Sequence, residues 1–284
     1  MMMTSTTGSQ NIVYIDAPAT EIWPFVSTVD GWNHFLSDVT ITSGDSEFHD
    51  GDQVHITIGE LHNHAVCVAC KPYELIAFDE HYSVVLPNGG LWEYRLQTTF
   101  SLEQLLSTTK VTVSVEGYTE DEMMQWVREC GETGWRQSLF HLKTVIELGL
   151  DLRNAIFNYP RLGVLNYTAT TAQLQASGLL QLGIRGNYIK TVYPNSPAHQ
   201  AGLRDGIIIT QIGGMPVPTY NDLVKALSSY YGKNCSVPVN YYVLGQPFET
   251  IIHLTYDDQF TGMIDPAHVT VEELVHQRIL KSST

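Results

Sequence analysis

The chain has 284 residues, more than one compact unit usually holds, so two domains are the expectation. Its 43% apolar and 16% charged residues are those of a folded protein and exclude wholesale disorder. Thirty acidic against fifteen basic residues give a formal charge of -15, which would repel phosphate backbones and anionic head groups and argues against nucleic acid as a partner.

Met1 to Gln10 carry neither a basic region nor an apolar stretch of signal-peptide length, and no run elsewhere approaches a membrane span. The expectation is a cytoplasmic protein with a disordered start over residues 1–10. Four cysteines are too few and too scattered for a disulfide framework. Cys67 and Cys70 have C-x-x-C spacing, but Ala65 to Ala69 reads as a strand, where residues three apart point to opposite faces. They are expected to be buried small hydrophobes rather than a zinc or redox pair.

Asn11 to Asp16 alternates as a short strand, and Ala17-Pro18-Ala19 opens a helical pattern with Ile22, Trp23 and Val26 on one side. Pro24 should kink that helix or shorten it. From Val39 to Val115 the chain reads as an antiparallel meander, with runs Asp52–Ile58, Leu61–Ala69, Leu75–Val84, Leu91–Ser101 and Thr109–Gly117 separated by turn residues. Thr119 with Glu122 matches a capping box, and a long helix follows to about Leu150, its apolar face carrying Met123, Trp126, Val127, Cys130, Leu139 and Leu142.

The strand, then A-P-A-T-E-I-W, Gly31-Trp32, the meander, and G-W-R-Q-S-L-F-H-L-K-T-V-I-E at Gly134 to Glu147 together resemble the START-like superfamily, also called SRPBCC or polyketide-cyclase-like. The closest members are similar to the activator of the heat-shock ATPase. The resemblance covers residues 11–151 and implies an α+β helix-grip fold, a curved antiparallel sheet around a long C-terminal helix with an apolar cavity between them. Trp32, Phe35, His64, Tyr82, Trp92, Tyr94, Trp126 and Trp135 then either line that cavity or fill the core. His55, His62, His64 and His81 read as exposed strand histidines, since a metal site needs converging ligands that this spacing does not secure.

The linker is short. After it come Tyr159-Pro160-Arg161-Leu162-Gly163-Val164, a strand at Asn187–Tyr193, and P-N-S-P-A-H-Q-A-G-L at Pro194 to Leu203. A strand at Ile207–Ile212 follows, then a helix capped by Thr219 with Asp222, and a hairpin around Gly245-Gln246. Residues 156–256 resemble a PDZ domain, a small β-sandwich with two helices, in the order found in bacterial high-temperature-requirement serine proteases. Ile207 departs from the pattern by standing where the family usually has aspartate. The resemblance implies that a partner's C-terminal segment adds as a strand beside Leu162–Tyr167, its carboxylate on the N–H groups of Leu162, Gly163 and Val164 with Arg161 nearby. Its last side chain would enter between Leu162, Val164, Leu223 and Leu227, with plain core packing the alternative for the two helix leucines, more so for Leu227 than for Leu223.

Residues 257–284 read as an acidic tail with a short helix capped by Thr270 and Glu273, which either docks on a domain or mediates self-association. No H-E-x-x-H, G-x-S-x-G or other protease constellation occurs, and no metal or cofactor is implied. The function expected is a two-domain adaptor, with an apolar small ligand in the first domain and a protein C-terminus in the second. The alternatives are a cyclase- or dehydratase-like enzyme, with a buried His64 or Glu93 near Tyr82 or Tyr94 as acid or base, and a co-chaperone-like partner protein.

Overall fold

The computed structural model describes residues 8–59, 61–86, 88–256 and 270–282. The first domain is a seven-stranded antiparallel sheet in the order β1-β7-β6-β5-β4-β3-β2. Its strands are β1 (Gly8–Ile15), β2 (Val39–Thr42), β3 (Gln53–Ile58), β4 (Leu61–Lys71), β5 (Leu75–Val85), β6 (Leu91–Leu105) and β7 (Thr108–Glu116). Residues 8–10 are not a disordered start: Gly8 pairs with Glu116 and Gln10 with Ser114, because β1 lies along the edge that β7 would otherwise expose.

Between β1 and β2 lie α1 (Ala19–Ser27) and α2 (Val29–Phe35). Pro24 sits inside α1, which ends three residues later. The Thr28 hydroxyl donates to the Pro24 carbonyl at 2.7 Å and accepts from the Gly31 amide at 2.9 Å, ending one helix and starting the next. Gly31 is obligatory there, since a Cβ would fall 2.2 Å from the Pro24 oxygen.

The long helix α3 (Glu122–Leu148) is capped by Asp121, whose carboxylate accepts from the amides of Met123 and Met124 at 2.9 and 3.0 Å. The expected Thr119–Glu122 box does not form, because the Thr119 hydroxyl donates to that same carboxylate. Gly149, at φ +65°, ends the helix in the left-handed conformation. The core between sheet and helices is built on Trp32, which packs on Phe48, Phe78 and Phe100, with Leu139 and Leu142 of α3 completing it.

Cys67 and Cys70 correct the strand-parity expectation. The pairing slips at Val68, so Cys67 faces Phe78 and Cys70 faces Ile76, two positions apart on β5 and therefore on the same face. Burial pushes the Cys67 thiol up to about 12 and raises that of Cys70. Among the described residues no group of three or more His, Cys, Asp or Glu is placed to hold a metal ion.

After α4 (Arg153–Ile156) the second domain forms a sheet in the order β13-β12-β10-β9-β8, with β11 on β10. Its strands are β8 (Val164–Thr168), β9 (Asn187–Val192), β10 (Ile208–Ile212), β11 (Met215–Pro216), β12 (Ser236–Val243) and β13 (Gln246–His253). Its helices are α5 (Thr171–Ala176), α6 (Pro197–Gln200) and α7 (Tyr220–Ser228). The β12–β13 turn falls on Leu244 and Gly245, at φ +46° and +81°, one residue earlier than expected.

Finally α8 (Val271–Ser282) packs on the first domain, the Arg278 guanidinium donating to the Val85 carbonyl at 2.5 Å and lying over the Tyr193 ring of the second domain at 5.6 Å. Thr270 and Glu273 form a reciprocal cap at its start. The stretch 257–269 lies outside the described residues. No described helix is long and apolar enough to cross a membrane.

Candidate functional site

The interior of the first domain carries a polar patch on the sheet. Asn63, Glu80 and Thr98 project from the inner face of β4, β5 and β6 and are buried, with exposures of 4%, 4% and 1%. The Asn63 amide donates to Glu80 Oε1 at 2.8 Å and the Thr98 hydroxyl donates to Oε2. Burial outweighs these donors and pushes the Glu80 carboxyl up to about 7. Among the described residues no lysine or arginine pairs with it, and Asn63 Oδ1 has no hydrogen-bond partner.

Beside the patch stands an aromatic wall. Tyr82 and Tyr94 stack at 5.0 Å and 10°, Trp92 lies 4.8 Å from Tyr94, and Trp126 of α3 lies 6.3 Å from Trp92. All four are half-buried. The other expected wall residues are elsewhere. Trp32 and Phe35 are fully buried core, and Trp135 sits edge-on to Phe100 at 5.3 Å.

His64 is exposed on the outer face, against the His55 ring at 4.2 Å, and lines a shallow groove of about 350 Å³ with Ile41, Val54 and Val66. Glu93 is also outside, 3.7 Å from His81. Strand parity explains both: counting in twos from buried Phe78 puts Glu80 and Tyr82 inside, and counting from Ala65 puts Asn63 inside and His64 out. The interior acid is Glu80, not His64 or Glu93.

In the second domain β8 is an end strand. Tyr193 donates to the Gly163 carbonyl at 2.9 Å, which makes Val164 and Val192 a non-hydrogen-bonded pair and turns the Val164 N–H and C=O away from β9. Gly163 takes φ +70°, a conformation that favours glycine. The Leu162 carbonyl is tied inward by the Ala198 amide at 3.0 Å. Leu162, Leu223 and Leu227 are buried in one cluster with Val164 packed against it. The Arg161 guanidinium stacks over the Tyr159 ring at 3.7 Å.

The far end of β8 meets the first domain. Glu129 of α3 accepts from the Thr168 amide at 2.8 Å and its hydroxyl at 2.9 Å, and Gln125 donates to the Thr168 carbonyl at 2.9 Å. Further along the same helix, the Cys130 thiol donates to the Tyr220 hydroxyl at 3.1 Å, and Arg136 donates to Asn221. Burial pushes the Cys130 thiol up to about 12 and raises Tyr220 well above its ordinary range. Helix α3 therefore carries the core of one domain on one side and closes the end of the other domain's edge strand on the opposite side.

A helix gripped by a seven-stranded antiparallel sheet, followed by a small sheet with an end strand entered through a glycine loop, defines a two-domain α+β module. Residues 16–147 match the family model described as Activator of Hsp90 ATPase homolog 1-like protein, and residues 188–237 match the PDZ domain, so the chain carries the first domain followed by the second.

Over 88 residues the chain is 45% identical to a protein of Synechocystis named as serine protease HhoB, covering 28% of this chain and 21% of that protein, so it spans about a fifth of that relative's length. Among solved structures it is similar to MLL2253 from Mesorhizobium loti, at 16% identity over 49% of this chain and 97% of that one, with a TM-score of 0.40. It is also similar to the Aha1 dimer from Colwellia psychrerythraea, at 17% identity over 50% and 97%, with a TM-score of 0.39. DynU16, from the dynemicin biosynthetic locus, aligns over 98% of this chain and 95% of its own at 10% identity, with a TM-score of 0.45.

Proposed function

We propose that this chain is a two-site binding protein. The first domain holds an apolar small ligand between its sheet and α3, and the second takes the C-terminal residues of another protein along the edge of β8. The observation that carries the second half is Val164, whose backbone donor and acceptor face away from β9 directly after the left-handed glycine. A peptide adding there pairs with Val164 and runs toward Thr168, where Gln125 and Glu129 already hold the strand. At about 3.4 Å per residue the open stretch accepts on the order of four terminal residues, so this is a reader of short tails.

The test is fluorescence anisotropy with a labelled peptide ending in valine, as the free acid and as the amide. The free acid is expected to bind at least tenfold tighter. Equal binding by both forms contradicts carboxylate capture at Leu162, Gly163 and Val164.

A second reading has its own observation. A carboxyl held near neutrality in a buried site suits general acid–base chemistry, and Glu80 is such a group. Turnover lost in Glu80→Gln with ligand affinity kept would favour an enzyme over a carrier.

A further inference from the structure

We propose that the polar patch of the first domain binds a protonated amine carried on an apolar or aromatic body. This rests on the reading of that domain as a small-ligand binder and names the chemistry of its ligand.

The hydrogen-bond inventory sets the sign. Glu80 accepts from Asn63 and Thr98, and no lysine or arginine among the described residues pairs with it. The atom left over is Asn63 Oδ1, an acceptor on a side chain that is 4% exposed. A ligand arriving here meets a carboxyl and an amide oxygen, so it must bring donors, and an ammonium brings three. An ammonium also supplies the counter-charge that a buried carboxylate lacks.

The walls agree with that sign. The stacked Tyr82 and Tyr94 rings and Trp92 present π-faces beside the patch, the arrangement that attracts cations. On α3, Gly134 has nothing within 4 Å of the point a Cβ would occupy, which leaves open space along that helix. One turn earlier, a Cβ on Gly131 would stand 3.3 Å from the Tyr118 hydroxyl, so the same helix face is bounded there.

The experiment uses the full chain and three probes with one dansyl body on a five-carbon arm, ending in a primary amine, its N-acetyl derivative, or a carboxylate. Dansyl fluorescence reads binding. The amine is expected to bind at least tenfold tighter than the other two, and Glu80→Gln, checked for an unchanged melting transition, to bring all three within about threefold. Gly134→Leu, which fills the space, is expected to weaken all three probes together.

Equal affinities in the wild type overturn the amine proposal and leave the small-ligand reading standing. An amine preference that survives both variants places the charge recognition on the acidic surface and overturns the site. No binding by any probe overturns both.

Discussion

The carboxylate of Glu129 accepts from the backbone amide of Thr168 at 2.8 Å, so a side chain of the first domain supplies a bond that a paired strand would otherwise make for the second. Edge strands are open to unwanted pairing, and covering them is a common remedy. Here the cover is partial: it holds Thr168 while Val164, four residues earlier, keeps its backbone turned outward.

Peptide affinity should therefore stop rising with length after the last few residues. In Glu129→Ala the Thr168 amide loses its acceptor, and longer tails are expected to gain severalfold while a three-residue tail is unaffected. A length series in wild type and variant, read by calorimetry, checks this; parallel length dependence in both would remove the capping role.

Glu80 makes stability depend on pH. The folded chain keeps a proton that the unfolded chain releases near 4.5, so the contribution falls as pH rises from about 4.5 to about 7 and is level on either side. Glu80→Gln stays neutral throughout. Denaturant titrations at pH 5 and pH 8 should show the wild type losing about 2 to 3 kcal/mol more than the variant across that interval. No difference between the two would mean that the carboxyl titrates in solvent.

The two sides of the sheet predict opposite outcomes for two ring deletions. Trp32→Ala removes a fully buried ring that donates to the Val26 carbonyl at 2.9 Å, and should cost about 3 to 5 kcal/mol in chemical unfolding. His64→Ala acts on the exposed face and should stay within about 0.5 kcal/mol, without changing dansyl-probe affinity.

Thiol labelling reports on the domain contact. The thiols of Cys67 and Cys130, both pushed up to about 12 by burial, should resist iodoacetamide at pH 8 in the folded protein and react once it is unfolded. Fast labelling of Cys130 with Cys67 still protected would show that α3 leaves Tyr220 in solution.

Much of this architecture is written in local patterns. The meander follows from apolar alternation between glycine-rich turns, and the tail helix from the Thr170-like logic of its own Thr270–Glu273 cap. The cap of α5 carries the same signal, since Thr170 and Gln173 bond reciprocally. Glu80 was likewise within reach, by counting in twos from Phe78 through a run in which Asp79, Glu80 and His81 look equally exposed.

Other features leave no local trace. The slip at Val68 that brings Cys67 and Cys70 to one face depends on β5, not on the residues of β4. Gln125 and Glu129 read as a solvated helix face, because helical periodicity identifies the side that packs on its own sheet and says nothing of a second domain on the other.

The most direct measurement is a backbone NMR titration of the full chain with an unlabelled valine-terminated tetrapeptide. The amides of Leu162, Gly163 and Val164 are expected to shift most, with Thr168 nearly still. Large shifts confined to the outer histidine groove, or none in the Gly163 loop, would contradict that expectation.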